Sequence, residues 1–306
     1  MPPVFWTGKL TKSMKLLVNL SNAIAWINGN AKNANAMKER LKLGYNGEFS
    51  SHVDKYDKLG LENQLRAASL QLAEIDFKGK EVLDVGCGTG VSSFIALEKG
   101  ASKVVCGDIS QYMLDKAQEK ATAAGYDKNQ IVFRQLDAES LPFEKDSFDV
   151  TMTGMTLGVL PNQEKAVTEM ARVTRPNGLV SVGAHGPEHY WEAIDATFRA
   201  VTKRYVFGYR LEFWPRTDKD VEDMLVHAGL TNIKTFRAVW RNDFPSGGEA
   251  YDFFAAITAS WWYAKFPSDK ISADSEKTRR YFERKRVTRI TDDVIFCCGT
   301  KPDGEP

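Results

Sequence analysis

The sequence predicts an α/β fold built on a doubly wound, mostly parallel sheet, and three observations predict it. From about residue 60, short apolar runs alternate with helical patterns, and strands that alternate with helices pair in parallel through crossovers. Runs such as "KVVCG" (103–107) and "LVSVG" (179–183) are nearly unbroken apolar stretches, as strands covered by helices on both faces must be. A turn carrying Gly86, Gly88 and Gly90 stands between the first run and the first helical pattern, at the carboxyl edge where such sheets hold ligands.

The whole chain sets outer bounds. Its 306 residues, 43% hydrophobic and 26% charged, suffice for one large domain or a core with a cap. A net charge of +1 gives no long-range attraction to nucleic acid or an anionic membrane, so DNA is not an expected partner. Cys87, Cys106, Cys297 and Cys298 lack metal-ligand or disulfide-framework spacing, which points to reduced thiols in a cytoplasmic setting. No apolar run is long enough to span a bilayer, so no stable membrane insertion is expected.

Residues 1–55 read as a helical cap. Lysines precede an apolar stretch, but Asn19, Ser21 and Asn22 interrupt it and no small-residue cleavage site follows, unlike a signal peptide. Leu17, Leu20, Ile24 and Ile27 recur at helical spacing, as in an amphipathic helix packed on the core or pairing in a homo-oligomer, with membrane-surface contact the lesser option. The core, 56–184, contains strands at Glu81–Val85, Lys103–Gly107, Ile131–Leu136, Phe148–Thr153 and Gly178–Gly183. A helix with Met113, Leu114, Ala117 and Ala121 on one face starts after an N-cap at Ser110. Residues 185–216 and 244–290 interrupt the rhythm as aromatic-rich insertions, read as lids within one domain. Residues 217–243 and 291–300 supply the closing helix, capped by Gly229, a strand at Ile233–Val239 and a last strand, "DVIFCCGT".

The glycine turn limits the ligand. Glycines let the backbone turn sharply and let a ligand lie against the main chain. A phosphate-binding loop would end in Gly-Lys-Ser/Thr, which is absent, and a dinucleotide turn would need its third glycine where Val91 stands. Asp84 lies inside a strand, where a carboxylate is costly unless donors meet it. Asp108 ends the second strand, where the next carboxylate of a nucleoside site belongs, and Asp137 and Ala138 end the third.

"VLDVGCGTG", "GDIS", "LDAESLPFEKDSFDV" and "VTRPNGLVSV", in this order and spacing, resemble the motifs of class I S-adenosylmethionine-dependent methyltransferases of the type 11, UbiE-like group. The resemblance covers 54–184 well and 218–240 loosely. It implies a Rossmann-like seven-stranded sheet whose last strand is antiparallel. S-adenosylmethionine would be the cofactor and S-adenosylhomocysteine the product. Asp84 and Thr153 would face the amino-acid end, with Gly86, Cys87, Gly88 and Gly90 beside it. Asp108 would take the ribose hydroxyls, Ile109 and Met113 would pack on adenine, and Asp137 and Ala138 would meet its polar edge. Tyr56 would pack nearby. Cys87 itself reads as a filler and not a nucleophile.

Methyl transfer needs alignment and exclusion of water, and a hydroxyl or acidic-carbon acceptor also needs a base. Of four histidines, His185 is the first candidate and His189 the second, where the fifth strand leaves the sheet. Glu188 and Tyr190 stand in reserve. The sequence departs from many relatives at Gly158, where they carry histidine or an aromatic. "TGMT" replaces the Asp/Asn-Pro-Pro-Tyr signature of nucleobase or glutamine amino-group methylation. Trp214, Phe253, Phe254, Trp261, Trp262 and Tyr263 suggest a lid over a hydrophobic or aromatic small molecule. The basic run from Arg279 to Arg289 could meet an anion or RNA, yet Glu276 and Glu283 fit i,i+4 pairing on a solvated helix. An RNA substrate, or a cofactor-binding protein without turnover, is therefore the alternative.

Overall fold

The computed structural model describes residues 50–205, 217–263 and 268–303, with the isolated positions 16, 20, 38, 39 and 42. Helix α1 (Ser50–Leu72) leads into β1 (Glu81–Val85), α2 (Val91–Glu98), β2 (Lys103–Asp108), α3 (Gln111–Ala123), β3 (Ile131–Gln135) and β4 (Phe148–Thr153). A 3₁₀ turn (Leu157–Val159), α4 (Gln163–Val173), β5 (Thr174–His185) and α5 (Trp191–Tyr205) follow. The chain then forms α6 (Asp218–His227), β6 (Thr231–Asp243), α7 (Gly247–Tyr263), α8 (Ser268–Lys285) and β7 (Arg289–Thr300).

The seven strands stand in the order β3-β2-β1-β4-β5-β7-β6, mostly parallel with one antiparallel end. β1 pairs in parallel with β2 on one side and β4 on the other, with Asp84 opposite both Cys106 and Met152. The winding reverses between β1 and β4, so the carboxyl ends of these two strands flank the crevice where α/β sheets bind ligands.

All the expected strands form; β5, β6 and β7 run beyond the sequence bounds, β2 gains Asp108, and β3 stops at Gln135. β5 begins at Thr174, paired with Phe148 across a register shift between Phe148 and Val150. The irregularity fits a segment containing Pro176 and the left-handed Asn177, at φ 62°. β6 extends at both ends of Ile233–Val239. The expected N-cap of α3 is present, Ser110 Oγ accepting from Met113 N at 3.4 Å, and Met113, Leu114, Ala117 and Ala121 are its buried residues. Gly229 follows α6 in the left-handed conformation expected of a C-cap, at φ 81°.

Among the described residues, those in 61–184, 218–237 and 295–303 form one compact unit, and those up to 60, in 185–217 and in 238–294 form another. The first holds β1–β4 and most of β5, with a core on either face of the sheet. Val82, Val104, Leu114 and Met152 lie in one core, and Leu83, Val85, Val180 and Ile295 in the other.

In the second unit, α5, α7 and α8 pack around Tyr190, Phe253, Phe254, Phe282 and Ile290, all buried. Tyr190 meets Phe254 edge-on at 6.0 Å, and Phe254 stacks with Phe282 at 6.3 Å. Much of the aromatic content expected in a lid is thus the hydrophobic core of this unit. Trp214 lies outside the described residues, as do the side chains of Trp261, Trp262 and Tyr263. Three of the six basic residues in the run from Arg279 to Arg289 pair with acids nearby. Arg280 pairs with Glu276 at 3.3 Å, Arg279 with Glu283 at 3.3 Å and Asp252 at 2.8 Å, and Arg289 with Asp243 at 2.7 Å.

Of the apolar face expected near the N-terminus, Leu20 is helical and 48% exposed, and Leu17, Ile24 and Ile27 lie outside the described residues. Among the described residues, no helix is long and apolar enough to cross a membrane. Phe282, fully buried with rings on two sides, should be costly to truncate. Phe282→Ala is expected to lose about 3–5 kcal/mol in denaturant unfolding followed by circular dichroism.

Candidate functional site

The glycine turn uses its three glycines differently. All have positive φ, at 72°, 53° and 92° for Gly86, Gly88 and Gly90. A side chain at 86 would collide with Thr156, and one at 90 would collide with the Phe94 ring. At Gly88 nothing lies within 4 Å of where a Cβ would stand. Only there is the hollow open to a ligand. The turn is fastened to β2, since Gly86 N and Cys87 N both donate to Gly107 O, at 2.7 and 3.0 Å.

Asp108 completes that fastening. Its Oδ2 accepts from Gly88 N at 3.0 Å and its Oδ1 from Ser110 N at 2.9 Å. One carboxylate therefore fixes both the glycine turn and the entry to α3. Burial raises the Asp108 pKa, against the lowering effect of these backbone donors.

Asp84 is buried beneath the turn, and Ser93 Oγ donates to it at 2.7 Å. Cys106 Sγ in turn donates to Ser93 Oγ at 3.0 Å. Burial chiefly, and the Asp108 charge to a lesser degree, push the Asp84 pKa up to about 7 despite the Ser93 bond. The Cys87 thiol is pushed well above its ordinary value, first by its hydrogen bond with Cys106 and then by burial. An inert filler fits that environment better than a nucleophile does.

Thr153 ends β4 across the crevice. Its hydroxyl is buried without a hydrogen-bond partner, while its carbonyl accepts from Gln71 Nε2 at 3.1 Å. A buried hydroxyl left unsatisfied is costly. Together with the open hollow at Gly88, it matches a polar ligand lying between β1 and β4. The residues present thus fit the amino-acid end of S-adenosylmethionine.

Beyond the end of β2, Met113 is buried and Ile109 half-buried. Ala138 is buried, and Asp137 Oδ1 accepts from Glu139 N at 2.9 Å, so one oxygen of that carboxylate shapes its own turn. Sequence reasoning passed over Gln71, Ser93 and Thr156. Each looks like an ordinary polar residue of a helix or loop, and only tertiary contacts single it out.

Tyr56, half-buried on α1, and the two histidines belong to the second unit. His185 and His189 are buried with ring centroids 4.4 Å apart. His189 Nδ1 lies 3.2 Å from Asp293 N and 3.1 Å from Asp293 O, so the ring is fastened to β7 in either tautomer. The loop between them is fastened to β7. Gly186 N donates to Asp293 O and Glu188 N to Asp293 Oδ2, each at 2.7 Å. Burial lowers the His185 pKa to about 3, and burial together with the His185 ring holds His189 well below the usual range. Both rings are neutral at physiological pH. Among the described residues, no group of three or more His, Cys, Asp or Glu side chains could hold a metal ion.

Comparison with known proteins bears on the family and the fold. A family model described as a methyltransferase domain, type 11, matches residues 83–182. A demethylmenaquinone methyltransferase of Desulfitobacterium hafniense is 37% identical over 140 residues, 43% of this chain and 54% of that one. The chain thus spans about half the length of that relative. The uncharacterized protein Rv1403c of Mycobacterium tuberculosis is 31% identical over 209 residues, 66% of this chain and 74% of that protein. The crystal structure of the Bacillus YcgJ protein superimposes with a TM-score of 0.56 at 18% identity, covering 78% of this chain and 99% of that one.

The buried histidines make stability depend on pH. Unfolded, each takes up a proton near its ordinary value of 6.5, which the folded state refuses until pH approaches 3 for His185. Stability is therefore lost as pH falls from 6.5 toward 3, by up to about 1.4 kcal/mol per unit for each ring. Asp84, with its pKa raised, acts in the opposite sense between about 4 and 7. The difference between the wild type and His185→Gln cancels that contribution. Urea unfolding at pH 7 and pH 5 should show a flatter pH dependence for the variant, and parallel losses would refute the burial argument.

Proposed function

The chain belongs to the class I S-adenosylmethionine-dependent methyltransferases, in the type 11 group, and from that premise we propose that it transfers the methyl group of S-adenosylmethionine to a hydrophobic or aromatic small molecule, at oxygen, carbon or nitrogen. The observation that carries the cofactor reading is the pairing of an unsatisfied buried hydroxyl at Thr153 with the open hollow at Gly88. When bound, the cofactor supplies an electrophilic methyl group on a sulfonium.

The chain's own residues then bind, orient and exclude water. Asp84 and Thr153 receive the amino-acid end, beside Gly86, Cys87, Gly88 and Gly90. Asp84 is partly protonated near neutral pH, so meeting an ammonium group ionises it and binding releases protons. Asp108 accepts from the ribose hydroxyls with the lone pairs its backbone donors leave free. Met113 and Ile109 flank the adenine, with Asp137 and Ala138 at its polar edge.

His185 is the proposed proton acceptor. It is neutral at working pH but, with a pKa near 3, a weak base. Alignment therefore carries more of the rate than proton abstraction does. His189, the second candidate, lies beside it, with ring centroids 4.4 Å apart. A lipophilic acceptor is supported by the quinone named for the Desulfitobacterium relative. The acid-paired basic helix gives RNA no comparable support.

The test is incubation with S-adenosylmethionine labelled on its methyl group and an extract of the source organism. Label in the organic-soluble fraction is expected, whereas label in RNA or protein would replace the acceptor class. Asp108→Ala should weaken cofactor binding by about 1.5–3 kcal/mol in calorimetry, since charge-assisted bonds and the anchor on Gly88 are lost together. Once an acceptor is identified, His185→Ala should lower turnover about 100-fold with cofactor affinity intact. Near-normal turnover would move the base elsewhere.

A further inference from the structure

We infer that Thr156 and Gln71 are positioning residues that hold the segment Thr153–Thr156 in register with the glycine turn, so that the cofactor pocket stands formed before its ligand arrives. The inference rests on the cofactor reading given above. Neither side chain needs to touch a reacting atom.

The fastening starts at the last turns of α1. Gln71 is 7% exposed, and its Nε2 donates to Thr153 O and to Ser181 Oγ, each at 3.1 Å. Its Oε1 lies 3.0 Å from where a Cβ of Gly183 would stand and 3.5 Å from the same point at Gly154. The amide thus fills the gap between the ends of β4 and β5. A single buried side chain sets the height of the Thr153 carbonyl, and with it the neighbouring hydroxyl.

Beyond Thr153 the backbone is forced. Met155 has φ 60°, a left-handed conformation that persists in such a residue only where the surroundings impose it. Here Met155 N donates to Gly183 O at 3.1 Å. This turn delivers Thr156 to the glycine loop, where its Oγ1 donates to Gly86 O at 3.0 Å. The Thr156 side chain occupies the space that a Cβ at Gly86 would need. Gly86 is therefore small for the sake of Thr156, while Gly88 is the position left open to the ligand.

An unbroken line of contacts runs from α1 through the end of β4 to the glycine turn. Removing a link leaves a loop that the ligand must order as it binds, and that cost appears as lost affinity. A mere packing role would be indifferent to whether residue 156 carries a hydroxyl or an isosteric methyl group.

The experiment is calorimetric binding of S-adenosylhomocysteine to the full chain, with thermal midpoints measured alongside. Thr156→Val, which preserves shape and removes the donor, should weaken binding about 10-fold, and Thr156→Ser should stay within about 3-fold of wild type. Gln71→Leu should also lose about 10-fold, because the Thr153 carbonyl is left buried without its donor. If Gln71→Leu does not fold, the two Thr156 variants carry the test. Wild-type affinity in Thr156→Val, or equal loss in the valine and serine variants, would overturn the inference. Asp108→Ala separates the two levels. If it too binds normally, the cofactor pocket itself is misassigned, whereas its loss beside a normal Thr156→Val removes only the positioning role.

Discussion

The geometry of the pocket depends on the hydrogen bonds that one carboxylate, Asp108, makes to the backbone. By accepting from Gly88 N, twenty residues before it, and from Ser110 N it joins the turn after β1 to the start of the helix after β2. The turn must then keep its glycines in left-handed conformations, and Ser110 is set to cap α3. The cost is a buried charge. It is lessened by the backbone amide donors. Stability and binding draw on the same atoms here, so the position tolerates little change.

A second carboxylate, Asp84, is treated differently. It has one hydroxyl donor, from Ser93, and lies under the turn rather than at its rim. Burial and the neighbouring Asp108 charge keep it partly protonated near neutral pH. Such a group costs little while the pocket is empty and becomes a full charge when a cation meets it. The two aspartates thus divide the work. One fastens the glycine turn, and the other lies beneath it with its pKa raised to about 7.

The histidines illustrate how burial and chemistry pull against each other. Packing of the His185 and His189 rings, with Asp293 fastened to the loop between them, gives a fixed arrangement of the two rings. The same burial depresses the affinity of both rings for protons. What is gained in orientation is lost in basicity. In a displacement with a good leaving group that balance is tolerable, because alignment supplies more of the rate than proton removal.

The sequence by itself determined the strand-helix alternation, the parallel sheet and the identity of its binding edge. Apolar runs, glycines at alternate positions and a carboxylate at the end of a strand are local signals of period and conformation. For the same reason Ser110 and the buried face of α3 were legible residue by residue, as was the i,i+4 pairing that neutralises Arg279 and Arg280. Only the tertiary structure decided which glycine faces the ligand, since that depends on Thr156 and Phe94 filling the other two hollows. It alone showed that Phe253 and Phe254 belong to a core, and that Gln71, outwardly one more polar helix residue, supports Thr153 from 82 positions away. Periodicity tells which face of an element is buried, but it cannot say which side chain from a distant element fills the space opposite.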